Sequence, residues 1–333
     1  MGRTEYVLSL SYGKDSLACL EAIRLLGYPL DRIITAEVWA TDTIPADLPP
    51  MVEFKEKADR IIKERYGITV EHISAMRERE RERLSFESIF YSKFTKGKNV
   101  GRIYGFPMQR GQWCTSDLKT KVLARIAKGD IRNCILPCAA EEGIDQGSLR
   151  GQDNRLSLHN ASMVQQQTQG ESSLTTGFSL SPEARGADTN VVQYLGIAAD
   201  EPERIERHRG KPGIMLPLVD IGWDEAYCRK WCEENDLLSP IYTDSARGGC
   251  WFCHNQGIDQ LRLLRQRYPE YWTLLLKWDK DSPVTFHADG RTVHDFEKRF
   301  SMEDFGLVPT DRKFRWKMLE TKQSEWLELL LAA

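Results

Sequence analysis

The chain contains no apolar run approaching the roughly 18 residues that a membrane-spanning helix needs, and its first residues run straight into a charged segment with no signal-peptide core. A soluble, cytoplasmic protein is therefore expected. A charge excess of one sign is also missing. Lys and Arg number 46 against 49 Asp and Glu, a net charge of -3, so no global field draws the whole protein to nucleic acid and any such contact must be local. Cysteine is sparse, with eight in 333 residues. That is too few for a disulfide scaffold, and their grouping points to metal chemistry in a reducing compartment. Histidine is scarce as well. His72, His159, His208, His287 and His294 have no partners at recognisable spacing, and only His254, beside a cysteine pair, has a suggestive address.

What the chain does have is enough apolar residue, 41%, to build one large or two modest domains. Residues 6–10 alternate as a strand should, and Leu17, Leu20, Ile23, Leu25 and Leu26 recur at roughly helical spacing. Between them stand Ser11, Tyr12, Gly13, Lys14, Asp15 and Ser16. A strand, a tight turn and a helix in that order form a phosphate cradle. Gly13 lets the backbone approach an anion, the helix start supplies N–H groups and a favourable dipole, Lys14 adds a cation, and Ser11 and Ser16 add hydroxyls. The spacing is not G-x-x-x-x-G-K-[ST], because a single glycine is present and Asp15 directly follows the lysine.

This loop resembles the S-x-G-K-D-S signature of the PP-loop ATP pyrophosphatase superfamily, and later segments resemble its branch containing the phosphoadenosine phosphosulfate (PAPS) reductases. Residues 33–39 read as a second strand ending at Asp42 and Thr43. With Pro45 and Pro49 these are similar to the family's D-T-G-x-x-x-P-E stretch, although Ile44 replaces the glycine and the glutamate is absent. Residues 110–119 (RGQWCTSDLK) resemble R-x-C-T-x-x-L-K, and residues 194–204, with Gly196, Asp200 and Glu201, resemble G-I-R-x-D-E-x-x-R. Leu216-Pro217-Leu218, Trp223, Ile241-Tyr242 and Gly249-Cys250-Trp251-Phe252-Cys253 complete the likeness, which covers roughly residues 5 to 270.

Cys250 and Cys253 have the two-residue spacer that lets both thiolates grip one metal, with glycines at 248 and 249 to let the backbone wrap it. By the resemblance, Cys114 brings a third sulfur. Three readings stand: a 4Fe-4S cluster on three thiolates, zinc with Cys232 or His254 as fourth ligand, or free thiols. Cys19 falls in the apolar pattern of the first helix and reads as core. Cys228 and Cys232 share one helical face and read as buried packing. Cys134 and Cys138 match no family position.

Residues 134–190 are crowded with Gly, Ser, Gln, Asn and Thr and cannot build a core of their own, so they read as an insertion into an existing domain. Arg77 to Arg83 alternates Arg with Glu and reads as a solvated helix face. Arg312, Lys313, Arg315 and Lys317 interleave with Phe314 and Trp316 as nucleic-acid contacts often do, beside a C-terminal helix at 326–330 that needs something to pack on.

The expected fold is α/β: a doubly wound, mostly parallel sheet of the adenine nucleotide alpha hydrolase-like kind with a helical C-terminal extension. Residues 1–204 would form the nucleotide domain, interrupted at about 134–190, and 205–333 a helix-rich region carrying the CxxC. The resemblance implies an enzyme that binds ATP with Mg2+, splits it to AMP and pyrophosphate, and adenylates a substrate for sulfur transfer. Lys14 and Asp15 would be catalytic. Ser11, Tyr12, Gly13, Lys14, Asp15, Ser16, Asp42, Thr43, Gly196 and Asp200 would bind the nucleotide. The partners that follow are an adenine nucleotide, an acceptor (a tRNA, DNA or a small metabolite), a sulfur-donor protein and a second copy of the chain as a homodimer, with no membrane. Sulfonucleotide reduction is the competing enzyme reading, but no cysteine follows Cys253 to serve as its C-terminal nucleophile. A regulatory protein that binds nucleotide without turnover is the third.

Overall fold

The computed structural model describes residues 3–77, 82–107, 113–127, 190–240, 242 and 249–332. All of these lie in one unit spanning 1–135 and 187–333. The insertion read at 134–190, but for its last residue, and with it Cys134 and Cys138, falls outside the described residues, as do Arg110, Gly111 and Gln112.

Strand β1 (Thr4–Ser9) leads through residues 10–13 into helix α1 (Lys14–Leu25). Then come β2 (Arg32–Glu37), α2 (Pro49–Tyr66), β3 (Val70–Ser74), the short β4 (Met76–Arg77) and β5 (Glu82–Arg83), and α3 (Phe86–Phe90). Helix α4 (Trp113–Thr115) continues through a wide π turn (Ser116–Thr120) into α5 (Lys121–Ala127). The chain resumes with β6 (Asn190–Tyr194), α6 (Pro202–His208), β7 (Ile214–Met215), α7 (Pro217–Ile221) and α8 (Glu225–Glu234). Helices α9 (Ile258–Arg267), α10 (Pro269–Asp281), α11 (Val293–Asp304), α12 (Met318–Thr321) and α13 (Gln323–Ala332) follow.

Among the described residues the central sheet has five strands in the order β3-β2-β1-β6-β7, and every pairing is parallel. Strand side chains alternate between the two faces. Val7, Ile34 and Ile73 enter one core, while Leu8, Ile33 and Val70 enter the other. The second core is completed by α1, α2 and α8, where Cys19, Cys228 and Cys232 are all fully buried, as their spacing predicts. The first core is rich in aromatics from α3, α10 and α11. Because β7 pairs with β6, Tyr194 opposite Met215, the sheet runs across the boundary expected at 204/205.

Strand order places a topological switch at the centre: β2 and β3 lie to one side of β1, β6 and β7 to the other. In open parallel sheets a crevice forms there, at the carboxyl ends of the two strands that part company. The loop after β1 is residues 10–13, and the loop after β6 holds Gly196, Asp200 and Glu201.

Two expectations are corrected. Strand β2 ends at Glu37, so Asp42 and Thr43 lie well beyond it, exposed on a loop folded back through a bridge between Trp39 and Pro45. Arg77 and Glu82–Arg83 are paired antiparallel strands, not helix. Strict alternation of charge satisfies a two-residue period as well as it decorates a helix, and here the strand period wins because the Arg83 guanidinium stacks 3.6 Å over the Trp39 ring.

At the C-terminal end, Phe314 is buried and carries the Arg299 guanidinium 3.6 Å over its ring, while Arg291 lies 4.2 Å over Trp316. Those aromatics are committed inward, leaving Arg312, Lys313, Arg315 and Lys317 exposed. Helix α13 is anchored by the Trp326 indole, which donates to Ser301 Oγ at 2.9 Å, and exposes Leu327, Leu329, Leu330 and Leu331. Among the described residues no helix is long and apolar enough to cross a membrane.

Candidate functional site

The loop after β1 is knit by its own hydroxyls. Ser16 Oγ donates to the Gly13 carbonyl at 3.0 Å, accepts the Ser11 amide at 3.2 Å and lies 3.1 Å from Ser11 Oγ. Gly13 occupies the N-cap position of α1 with extended backbone and no capping side chain, so the helix start faces the crevice through its amides. Gly196, from the loop after β6, closes against this start. A Cβ there would stand 2.6 Å from Ser16 Cα and 2.8 Å from Asp15 O, a contact that only glycine avoids.

Lys14 Nζ lies 3.0 Å from Asp15 Oδ1 and 3.4 Å from Glu225. Burial pulls its ammonium down, but the Asp15 bond and charge outweigh that and leave it raised. Burial raises the Asp15 carboxyl, and Lys14 offsets part of the rise. Ligand oxygens of Asp15, Glu201 and Glu225 gather within 4.8 Å of one another, the only His, Cys, Asp or Glu trio to do so among the described residues. Three carboxylate oxygens at that spacing suit a hard divalent cation. Glu201 is held by Arg204 and by the Ala198 amide. Glu225 is held through its own amide, which donates to Asp200 Oδ1 at 3.1 Å in the first turn of α8, where Asp224 also caps Tyr227 N–H at 2.7 Å.

Asp200 therefore holds the start of α8, and its neighbour Glu201 joins Asp15 and Glu225 in the carboxylate trio. Residue spacing carries the first signal, since Glu201 sits in the same motif; Glu225 arrives from another element with no local mark. Asp42 and Thr43 lie on an exposed turn that Thr41 Oγ1 shapes by accepting the Thr43 and Ile44 amides. Tyr242, read as part of an L-Y element, accepts the Lys14 amide at 3.3 Å.

His72, which has no partner at recognisable spacing in the sequence, finds three through space. Its Nδ1 lies 2.7 Å from Glu37 Oε1, and its Nε2 lies 2.8 Å from Asp59 Oδ2 and 3.1 Å from the Tyr12 hydroxyl.

The thiols gather elsewhere. Cys114, Cys250, Cys253 and His254 line one cavity of about 190 Å³, with Lys119 at its wall. Phe86 draws these distant segments together. Its ring centroid is 5.1 Å from Trp113, beside Cys114, and 4.3 Å from Phe252, between the paired cysteines. Trp251 fastens the pair to the loop after β2, its amide donating to Ala46 O at 2.9 Å and its indole to Pro45 O at 3.0 Å. Burial pushes the Cys250 thiol up to about 11 against the pull of Lys119, and burial also raises Cys114. Cys232, the other proposed fourth ligand, is not at this cavity. It is buried between α8 and α1, and its thiol donates to the Lys14 carbonyl at 3.3 Å.

No family model, no curated protein and no solved structure matches this chain.

Proposed function

We propose that the chain is a PP-loop ATP pyrophosphatase of the PAPS reductase-like kind, with an adenine nucleotide alpha hydrolase-like sheet, that adenylates a substrate in preparation for sulfur transfer. The observation that carries this reading is the meeting, at the switch point of a parallel sheet, of the Ser11-to-Ser16 loop with the Asp15, Glu201 and Glu225 carboxylates.

In this reading Gly13 and the first amides of α1 cradle the β and γ phosphates of ATP, with the Ser11 and Ser16 hydroxyls beside them. A substrate oxygen attacks the α phosphorus. The bond from that phosphorus to the α,β-bridging oxygen breaks, AMP passes to the substrate, and pyrophosphate leaves with the electron pair. Lys14 turns from its carboxylates to the departing phosphate and stabilises the charge that develops there. Asp15, Glu201 and Glu225 are the residues that would hold magnesium, which when bound neutralises phosphate charge. Asp15 thus serves Lys14 and the cation site together.

Cys114, Cys250 and Cys253 supply three thiols to one cavity, a donor set that suits a 4Fe-4S cluster with one open iron. Their sulfurs are not gathered within 4.8 Å, whereas thiolates around a tetrahedral zinc stand about 3.8 Å apart. His254, which lines the same cavity, would be the fourth ligand of a zinc set. The proposed acceptor is a tRNA, DNA or a small metabolite.

The test is pyrophosphate release from ATP and magnesium by anaerobically purified protein, with bulk tRNA, DNA or small-metabolite extract, alongside Lys14→Ala. Release that depends on Lys14 and rises with one extract supports the reading. Nucleotide binding without release under any condition overturns it in favour of a reductase or a non-catalytic binder.

A further inference from the structure

Tyr12 occupies a backbone conformation that side chains avoid. Its φ is +56°, and Asp236 is the only other described non-glycine residue with positive φ. The left-handed region crowds Cβ against the carbonyl, which is why glycine usually fills it. Yet Tyr12 sits one residue before Gly13, in the middle of the loop assigned to the phosphates.

Its side chain shows what holds it there. Tyr12 is 1% exposed. The phenol donates to Asp59 Oδ1 at 2.5 Å, and His72 Nε2 lies 3.1 Å from the same oxygen. His72 lies between carboxylates, Asp59 from α2 at one nitrogen and Glu37 from β2 at the other. A ring nitrogen facing a carboxylate is a donor, and a ring with two donors is an imidazolium. The remaining charges around the group are Lys55, 5.2 Å over the Tyr12 ring and paired with Asp47, and Arg83, which acts on Glu37. Loop, β2, α2 and β3 thus converge on one phenol.

We propose that Tyr12 is the positioning residue of the phosphate loop: its buried phenol, pinned by Asp59 and His72, fixes the left-handed turn that presents Gly13 and Lys14 to an anion. The identity of that anion as ATP rests on the proposed function. A glycine could adopt the turn but would also leave it freely, whereas the anchored tyrosine keeps the loop formed before ligand arrives.

The anchor should respond to pH in a defined direction. Burial pulls the His72 imidazole down, but bonds to Asp59 and Glu37 and their charges outweigh it and raise the ring to about 9. Since this lies above the ordinary value near 6.5, the contribution is fully present below about 6.5 and is lost as pH climbs through about 9.

The experiment compares wild type, Tyr12→Phe and His72→Gln by amide hydrogen exchange of the peptide covering residues 10–17, corrected for intrinsic rate from pH 6.5 to 10, with MgATP calorimetry on the same samples. Tyr12→Phe should speed exchange in that peptide about tenfold and weaken MgATP about tenfold, the size of one hydrogen bond to a charged group. His72→Gln should abolish the step in exchange expected near pH 9 in wild type, and it reads the anchor even if Tyr12→Phe does not fold. Wild-type exchange in Tyr12→Phe, or a pH step that survives His72→Gln, overturns the proposal. If wild type binds no MgATP while Tyr12→Phe still loosens the peptide, the nucleotide reading fails and the anchor stands.

Discussion

The Tyr242 hydroxyl accepts the backbone amide of Lys14 at 3.3 Å, although the two residues are 228 positions apart. That amide belongs to the first residue of α1, one of the donors an incoming phosphate would use. A Cβ on Gly13 would lie 3.5 Å from the same hydroxyl, so Tyr242 stands over the mouth of the cradle. The phenol oxygen accepts the amide that a phosphate oxygen would accept in the proposed function.

Tyr242→Phe should therefore free the amide and tighten pyrophosphate binding two- to tenfold, corresponding to about 0.5–1.5 kcal/mol for one hydrogen bond. Calorimetric titration with pyrophosphate checks this. Weaker binding would instead place the hydroxyl among the ligand's own contacts.

Gly196→Ala should cost about 2–3 kcal/mol of stability, because the added methyl meets the Ser16 backbone and has no flexible side chain to displace. Urea unfolding measures it. Loss of nucleotide binding should accompany the loss of stability, since the displaced atoms are those of the loop itself.

The cysteines separate by location. Cys114→Ser, Cys250→Ser and Cys253→Ser should each lower iron and sulfide, or zinc, to well below one equivalent in anaerobically purified protein. Cys232→Ser should retain the wild-type metal content, because its thiol bonds the Lys14 carbonyl and does not line the cavity. Metal analysis of the four variants decides between a three-thiol centre and one that recruits Cys232.

Phe314→Ala should destabilise the fold by about 3–5 kcal/mol, the usual cost of emptying a buried phenylalanine site, and it also removes the ring beneath Arg299. Alanine at the exposed Arg312 or Lys313 should change stability by no more than about 0.5 kcal/mol. Thermal unfolding of the three variants is the measurement; equal effects would mean that Phe314 is not core.

Local motifs were legible and through-space convergence was not. The residues from Ser11 to Ser16 act as one turn, so their order in sequence is their order in space. Gly196 stands in a recognisable motif, but the backbone of Ser16 that demands a glycine there lies on another element. His72 had no signal at all. Its partners Asp59, Glu37 and Tyr12 are 13, 35 and 60 positions away on three separate elements, and no single-sequence spacing relates them. Asp42 and Thr43 were assigned by analogy to a strand end that β2 does not reach, its last residue being Glu37.

The pairing of β1 with β6, Thr4 opposite Asn190 through Leu8 opposite Tyr194, has a consequence for how the chain finds its fold. The central strand cannot complete its second edge until a segment far along the chain returns to it, which makes this a late and slow event in folding. Loop-closure entropy grows only with the logarithm of length, so removing residues 134–189 and shortening that connection by about a third would save only about 0.3 kcal/mol. A chain can thus carry a long extra segment between its two middle strands at almost no thermodynamic cost. On a ribosome, β1 and the loop after it emerge early and wait for their neighbour, and the crevice exists only after β6 has been synthesised.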